Sequence, residues 1–246
     1  MRAIVPDTQV VLLVLAGALS AGFVSGLSGF AFAMVSLGFW VHALIPSVMA
    51  PLIVACAACA QIYAMRELRR GLRIDLAMPF ILGGIAGIPL GAWLLVWIDP
   101  VSFKLAVGLF LIAYAGVMLA LGALPPLLWG GRLADAAIGW TGGVMGGIAG
   151  LTGALPTIWC ALRGWSRDDQ RGAMQPFNFA LQIAALFAYG WQGLLTREVG
   201  TLFLVALPIM GVGVVAGVGL YRRIDDAWFR RIVLWLLLVS GVTLLL

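Results

Sequence analysis

The chain has 246 residues, 63% of them apolar and only 10% charged, with a mean hydropathy of +1.09. That leaves almost no face to present to water, which excludes a soluble domain and, with it, the nucleic-acid binding that a net charge of +5 would otherwise suggest. The Lys and Arg residues stand instead in short loops between apolar runs, where they orient a chain in a bilayer.

Apolar segments of bilayer length, roughly 20 residues each, are predicted near 10–26, 27–45, 47–65, 75–97 and 102–122, then 134–150, 151–164, 174–191, 201–221 and 230–246. The first resembles a signal peptide, with Arg2, an apolar run from Val10 to Ala18, and small residues at Ser20 and Ala21. It recurs at 134–150, where no signal can stand, so it is read as a structural helix. The chain repeats itself: Ser25-Gly-Leu-Ser-Gly-Phe-Ala-Phe32 lies 124 positions before Ala149-Gly-Leu-Thr-Gly-Ala-Leu-Pro156. Met49-Ala-Pro51 aligns with Met174-Gln-Pro176, Ile98-Asp99 with Ile224-Asp225, and Phe103-Lys104 with Phe229-Arg230, at offsets drifting only from 124 to 126. Two membrane repeats, 1–123 and 134–246, are therefore expected, joined by a loop at 124–133.

Charge decides how the copies are oriented. Four crossings per half would divide the fifteen Lys and Arg seven to eight, which is no bias at all. Five crossings per half put twelve on one side and leave only Arg2, Lys104 and Arg197 on the other, as the positive-inside rule requires of inverted repeats. A nine-crossing version moves Arg2 alone, so the side of the N-terminus stays open.

Glycine in Gly26-Leu-Ser28-Gly29 and Gly150-Leu-Thr152-Gly153 permits a break in a membrane helix. The second piece then offers backbone N–H groups and the positive end of its dipole to an anion, with Ser28 or Thr152 placed to cap that piece or to donate a hydroxyl. Two such ends from inverted copies make a small anion site. Small residues also serve close helix packing in bilayers, and both uses stay open. In the second half Gln175, Asn178 and Gln182 are spaced i, i+3, i+7 on one helix face, with Pro176 in the first turn; the aligned first-half face carries Ala50, Ile53, Ala57 and then Gln61. Uncharged amides suit a small oxyanion or glue between helices.

All ten carboxylates fall in or beside loops, which disfavours a buried proton relay. His42 stands at a segment end beside Trp40, and Arg163, Arg167, Arg171, Asp168 and Asp169 form a charged loop after the second motif. Cys56-Ala-Ala-Cys59 in an Ala-rich segment reads mainly as packing. No catalytic set, metal-ligand cluster or nucleotide loop is present, so no enzyme, metal or cofactor is expected.

The run from Gly26 to Phe32, the Arg-rich loop at 66–73, and Gly150-Leu-Thr-Gly-Ala-Leu-Pro-Thr-Ile-Trp-Cys-Ala-Leu-Arg-Gly-Trp165 followed by Asp168-Asp-Gln-Arg171 and Gln175-Pro-Phe-Asn178 resemble the TauE/SafE family of sulfite exporters. The resemblance covers nearly the whole chain, although many members have a denser glycine run where this chain has Phe30, Ala31 and Phe32. It implies a multi-pass secondary transporter in the bacterial inner membrane for sulfite, sulfoacetate or other sulfonates. The motif positions it carries over are Gly26, Ser28, Gly29, Gly150, Thr152, Gly153, Pro156, Gln175 and Asn178, to which the polar face adds Gln182 and Gln61.

The expectation is an all-α polytopic membrane protein of two inverted repeats of about five segments each, with broken or re-entrant helices at the Gly motifs. It moves a small anion by alternating access, with the lipid bilayer and that anion as its partners and homo-oligomerisation left open. A transmembrane thiol-disulfide carrier using Cys56 and Cys59, or a non-transporting subunit of a membrane complex, are the alternatives.

Overall fold

In the computed structural model the described residues are 8–28, 31–67, 71–120, 127, 129–221 and, in the last segment, 234–235, 237–239, 241–242 and 245. Among them, helices α1 (Thr8–Ser28), α2 (Phe32–Trp40), α3 (Pro46–Glu67), α4 (Ile74–Trp97) and α5 (Pro100–Ala120) precede α6 (Arg132–Ala149), α7 (Ala154–Leu162), α8 (Arg167–Trp191) and α9 (Arg197–Tyr221). The described part of the last segment is helical too, and no strand occurs among the described residues.

Helix ends follow local chemistry. Asp99 Oδ1 accepts the N–H groups of Val101 and Ser102 at 3.0 and 2.9 Å, with Pro100 already set for the first turn of α5. The Ser102 hydroxyl, and after it the N–H groups of Ser102 and Val101, hold the Asp99 carboxyl below its ordinary range. Ser166 accepts from Asp169 N at 3.1 Å and donates to Asp169 Oδ2 at 2.8 Å, a reciprocal cap that starts α8 at Arg167. The residues 167–171 expected as a charged loop are therefore the opening turn of α8, and the Ser-x-x-Asp spacing is the signal for it.

The pattern of burial is that of a membrane protein. Among the described residues, five helices (α1, α3, α4, α5 and α9) are long and apolar enough to cross a bilayer. Leu82, Leu90, Leu105, Leu109, Leu204 and Val212 point outward, an apolar surface that only lipid covers favourably, and exposed Trp93, Trp97 and Trp191 stand toward the ends of α4 and α8. The chain is an all-α, polytopic membrane protein.

Two parallel helix pairs join the first half of the chain to the second. On α4, Gly83, Gly87 and Gly91 recur every fourth residue and face Ala136, Trp140 and Val144 of α6; Gly139, Gly143 and Gly147 of α6 face Phe80, Gly84 and Ile88 in return. On α1, Gly22 and Gly26 lie on the carbonyls of Met210 and Val214 of α9, while Gly213 and Gly217 lie on those of Leu19 and Phe23. The packing pattern repeats when α1–α4 are exchanged for α6–α9. Helix α1 packs on α9 as α6 packs on α4, α3 on α9 as α8 on α4, and α2 turns back on α1 as α7 does on α6.

Directions follow from these contacts. Helices α4, α6 and α8 start at one end of the bundle, where Phe80 meets Phe177 and Gly139. Helix α3 runs against α8: Arg73 N bonds Gly172 O at 3.0 Å, Gln61 reaches Gln175 O at 3.3 Å, and Ile53 lies against Gly150, near Asn178. The shared end thus gathers Arg66, Arg73, Arg132, Arg163, Arg167 and Arg171, and the opposite end Lys104 and Arg197, together with the start of α1.

A Cβ at Gly143 would run into the carbonyl of Gly84, whereas one at Gly116 meets nothing within 4 Å. Gly143→Ala is therefore expected to lower stability by about 1–3 kcal/mol, the cost of overpacking a close helix contact. Gly116→Ala should leave thermal unfolding of the detergent-solubilised protein unchanged or slightly raised.

Candidate functional site

The second Gly motif forms a true helix break. Gly150 ends α6 in the left-handed region (φ 74°) with its N–H on Gly146 O at 2.8 Å, a conformation glycine adopts without a Cβ penalty. The chain reverses, and α7 starts at Ala154 beside the middle of α8. There Thr152 Oγ1 donates to Asn178 Oδ1 at 2.8 Å, and a Cβ on Gly153 would stand 2.7 Å from that same oxygen. Thr152 was expected to cap α7 or to donate a hydroxyl; it does the second, and no side chain caps α7.

The donors of the α7 terminus are partly engaged. Ala154 N is turned to Leu151 O at 3.4 Å, Thr157 N bonds Gly153 O at 3.0 Å, and Pro156, packed against Gly142 of α6, has no N–H at all. Side chains therefore carry more of the site's polarity than the helix end does. Thr157, Gln175, Asn178 and Gln182 are all buried. Both amide atoms of Gln175, Asn178 Nδ2, Gln182 Oε1 and the Thr157 hydroxyl have no hydrogen-bond partner among the described residues. Each such atom costs about 1–3 kcal/mol when left dry, so this face is built to be completed by something that hydrogen-bonds. The three α8 residues share an arc of roughly 60° at 100° per residue, and Gln61 of α3 joins it through its bond to the Gln175 carbonyl.

The first motif is placed differently. Gly26 is in the α1–α9 contact, Ser28 ends α1 with its side chain outside the described residues, and Gly29 lies outside them altogether. Thr157 was missed in the sequence because its neighbours Pro156 and Trp159 make the segment look apolar; its place one turn after Gly153 is the available signal.

Toward the charged end, α7 is pinned. Asp135 in the first turn of α6 is buried, and its Oδ1 accepts from Trp159 Nε1 at 2.8 Å and from Arg163 at 2.9 Å. The Arg163 guanidinium also lies about 6 Å from the ring centres of Trp159 and Trp165. The connection between the halves crosses the same spot, with Leu127 N on Leu162 O at 2.7 Å and Trp129 edge-on to Trp159 at 5.6 Å. Asp135 reads as a loop carboxylate in sequence; only folding shows it enclosed. The first hairpin is tied with no charge, through Trp40 Nε1 on Val14 O at 3.1 Å. At the opposite end His42 is exposed in the turn after α2, its imidazole held below the ordinary value by partial burial and then by Lys104. Cys56, Cys59 and Cys160 are free thiols, two of them fully enclosed.

A helical bundle that closes around a buried, unpartnered amide face beside a broken helix is the architecture of a membrane transport protein. Residues 13–244 match the family model described as Sulfite exporter TauE/SafE, and the chain belongs to that family of membrane anion exporters. No curated protein and no solved structure matches it.

Arg163→Ala is expected to destabilise the protein by about 1–3 kcal/mol, because it leaves the buried Asp135 without its cation. A double-mutant cycle with Trp159→Phe, read by thermal unfolding, should show coupling, since both donors meet one oxygen.

Proposed function

We propose that this protein is a secondary transporter of the bacterial inner membrane that exports a small sulfur oxyanion or organic sulfonate, such as sulfite or sulfoacetate, by alternating access. The observation that carries the reading is the buried face of Gln175, Asn178 and Gln182 with Thr157, open in hydrogen-bonding terms and set beside the α6–α7 break. Neutral amides and a helix end bind an oxyanion without trapping it, as a carrier that must release its load requires. Exchange of α1–α4 for α6–α9 in the packing, with α3 and α8 antiparallel, supports two inverted repeats, 1–123 and 134–246, that rock about a central site. Six of the arginines at one end of the bundle support that end as cytoplasmic.

Purified protein in liposomes tests this directly. Gly153→Leu and Gly29→Leu should abolish anion binding and with it flux, Asn178→Ala should weaken binding by the roughly 0.5–1.5 kcal/mol of one hydrogen bond, and Gly116→Ala should have no effect. Full flux in both leucine variants would move the site elsewhere. Replacing Cys56, Cys59 and Cys160 with Ala should leave flux intact; its loss in a folded, inserted protein would favour the thiol carrier. Single cysteines placed at 66–73 and 163–171 should label only from the cytoplasmic side, and labelling from the other side would end the inverted-repeat assignment.

A further inference from the structure

We propose that the site holds a monoanion that also donates a hydrogen bond: the singly protonated form of a diprotic oxyanion, as in hydrogen sulfite, or a sulfonate that carries a hydroxyl or amino group. This rests on the α7–α8 face being the anion site, and adds which ligands that face accepts: it keeps sulfite, as its singly protonated form, and removes sulfoacetate, a dianion with no donor.

The unpartnered atoms are of two kinds. Asn178 Nδ2, Gln175 Nε2 and the Thr157 hydroxyl can donate, whereas Gln175 Oε1 and Gln182 Oε1 can only accept. Gln175 presents one of each whichever way its amide is turned, because neither atom is engaged. A fully ionised oxyanion has lone pairs alone. It satisfies the donors and is repelled by the two carbonyl oxygens, leaving them buried and unmet. A ligand with several oxygens and one O–H or N–H satisfies both kinds.

Charge points the same way. Along α8 the charged residues on this face are Asp168, in the first turn, and Arg171, two turns nearer the arginine-rich end than Asn178 and about 10 Å from it along the axis. That is close enough to attract an anion and too far to pair with one at Asn178. The other ionisable groups on the surrounding elements are Cys56, Cys59, Tyr63, Arg66 and Glu67 on α3, Asp75 on α4, Arg132 and Asp135 on α6, Cys160 on α7 with Arg163 just after it, and Arg167, Asp169 and Tyr189 on α8. Arg163 bonds Asp135, Tyr189 bonds the carbonyls of Gly146 and Gly147, and Asp169 pairs with Arg73. Removing a dianion from water costs about four times as much as removing a monoanion, by the square of the charge. Neutral amides offset the smaller cost far more readily.

The test is calorimetric titration of the full-length protein in detergent with sulfite, 2-hydroxyethanesulfonate, ethanesulfonate and sulfate, at about pH 6 and about pH 8, on either side of the second ionisation of sulfite. The competent species is the protonated one, so sulfite affinity should fall roughly tenfold per pH unit above that ionisation. The hydroxysulfonate keeps one charge throughout and should bind equally at both pH values, which controls for titration of the protein itself. Ethanesulfonate, which lacks the donor, should bind about tenfold weaker or worse, and sulfate should not bind. Gln175→Met should close the gap between the two sulfonates to about threefold. Sulfate or ethanesulfonate binding as tightly as the hydroxysulfonate, or sulfite affinity constant or rising with pH, would overturn the proposal while leaving an anion site in place. If none of the four binds, the anion-site reading itself falls, and the proposal with it.

Discussion

Backbone-to-backbone contact between parallel glycine-bearing helices is the constraint on which the rest of this structure depends. Inside a bilayer there is no hydrophobic force to press one apolar helix on another, so association comes from van der Waals contact and is strongest where side chains are missing. Gly83, Gly87 and Gly91 on α4 against Gly139, Gly143 and Gly147 on α6 provide that in one pair; Gly22 and Gly26 on α1 against Gly213 and Gly217 on α9 provide it in the other. Each pair takes one helix from either half of the chain. Neither half has its main partner within itself, so the two are interlocked, while the half-length helices α2 and α7 each pack within their own half, α2 on α1 and α3 and α7 on α6 and α8.

This interlocking makes an internal polar site tolerable. An amide face that met lipid would remain unpaired, whereas one enclosed by α3, α7 and α8 keeps its hydrogen-bonding capacity for a guest. The enclosure is asymmetric in chemistry although repeated in geometry. Helix α8 carries Gln175, Asn178 and Gln182 where α3 has Ala50, Ile53 and Ala57, so the second half supplies the buried amides and the first supplies a mostly apolar wall, with Gln61 reaching across. A duplicated scaffold with one specialised copy needs to balance only one set of buried polar groups.

The same division marks the two hairpins. Trp40 ties α2 to a backbone carbonyl of α1, a bond that carries no charge, while α7 is tied to α6 through Asp135, Trp159 and Arg163 beneath the connection between the halves. The start of α7 contributes Thr152 and Gly153 to the site, and its end is clamped at the arginine-rich end of the bundle. Any displacement that opens the site toward that end must therefore move α7 against an ion pair, an aromatic stack and a backbone hydrogen bond.

Much of this was legible in the residues alone. Apolar runs located the helices, though those at 27–45 and 151–164 fold as nine-residue helices too short to span a bilayer, the second Gly motif marked the break at Gly150, and the i, i+3, i+7 spacing put the α8 amides on one face, because these features are set by helical period and by the conformational freedom of glycine. The Ser166–Asp169 cap and the every-fourth-residue glycines were also present as local signals, in a stretch that read as loop and in segments that read only as apolar. What tertiary structure alone decided is which surfaces meet. It put Gly26 inside α1 against α9 and its counterpart Gly150 at the left-handed end of α6, although the two motifs look alike, and it enclosed Asp135 while leaving Asp75 exposed. Burial and the pairing of polar atoms depend on elements far apart in the chain, so no local pattern contains them.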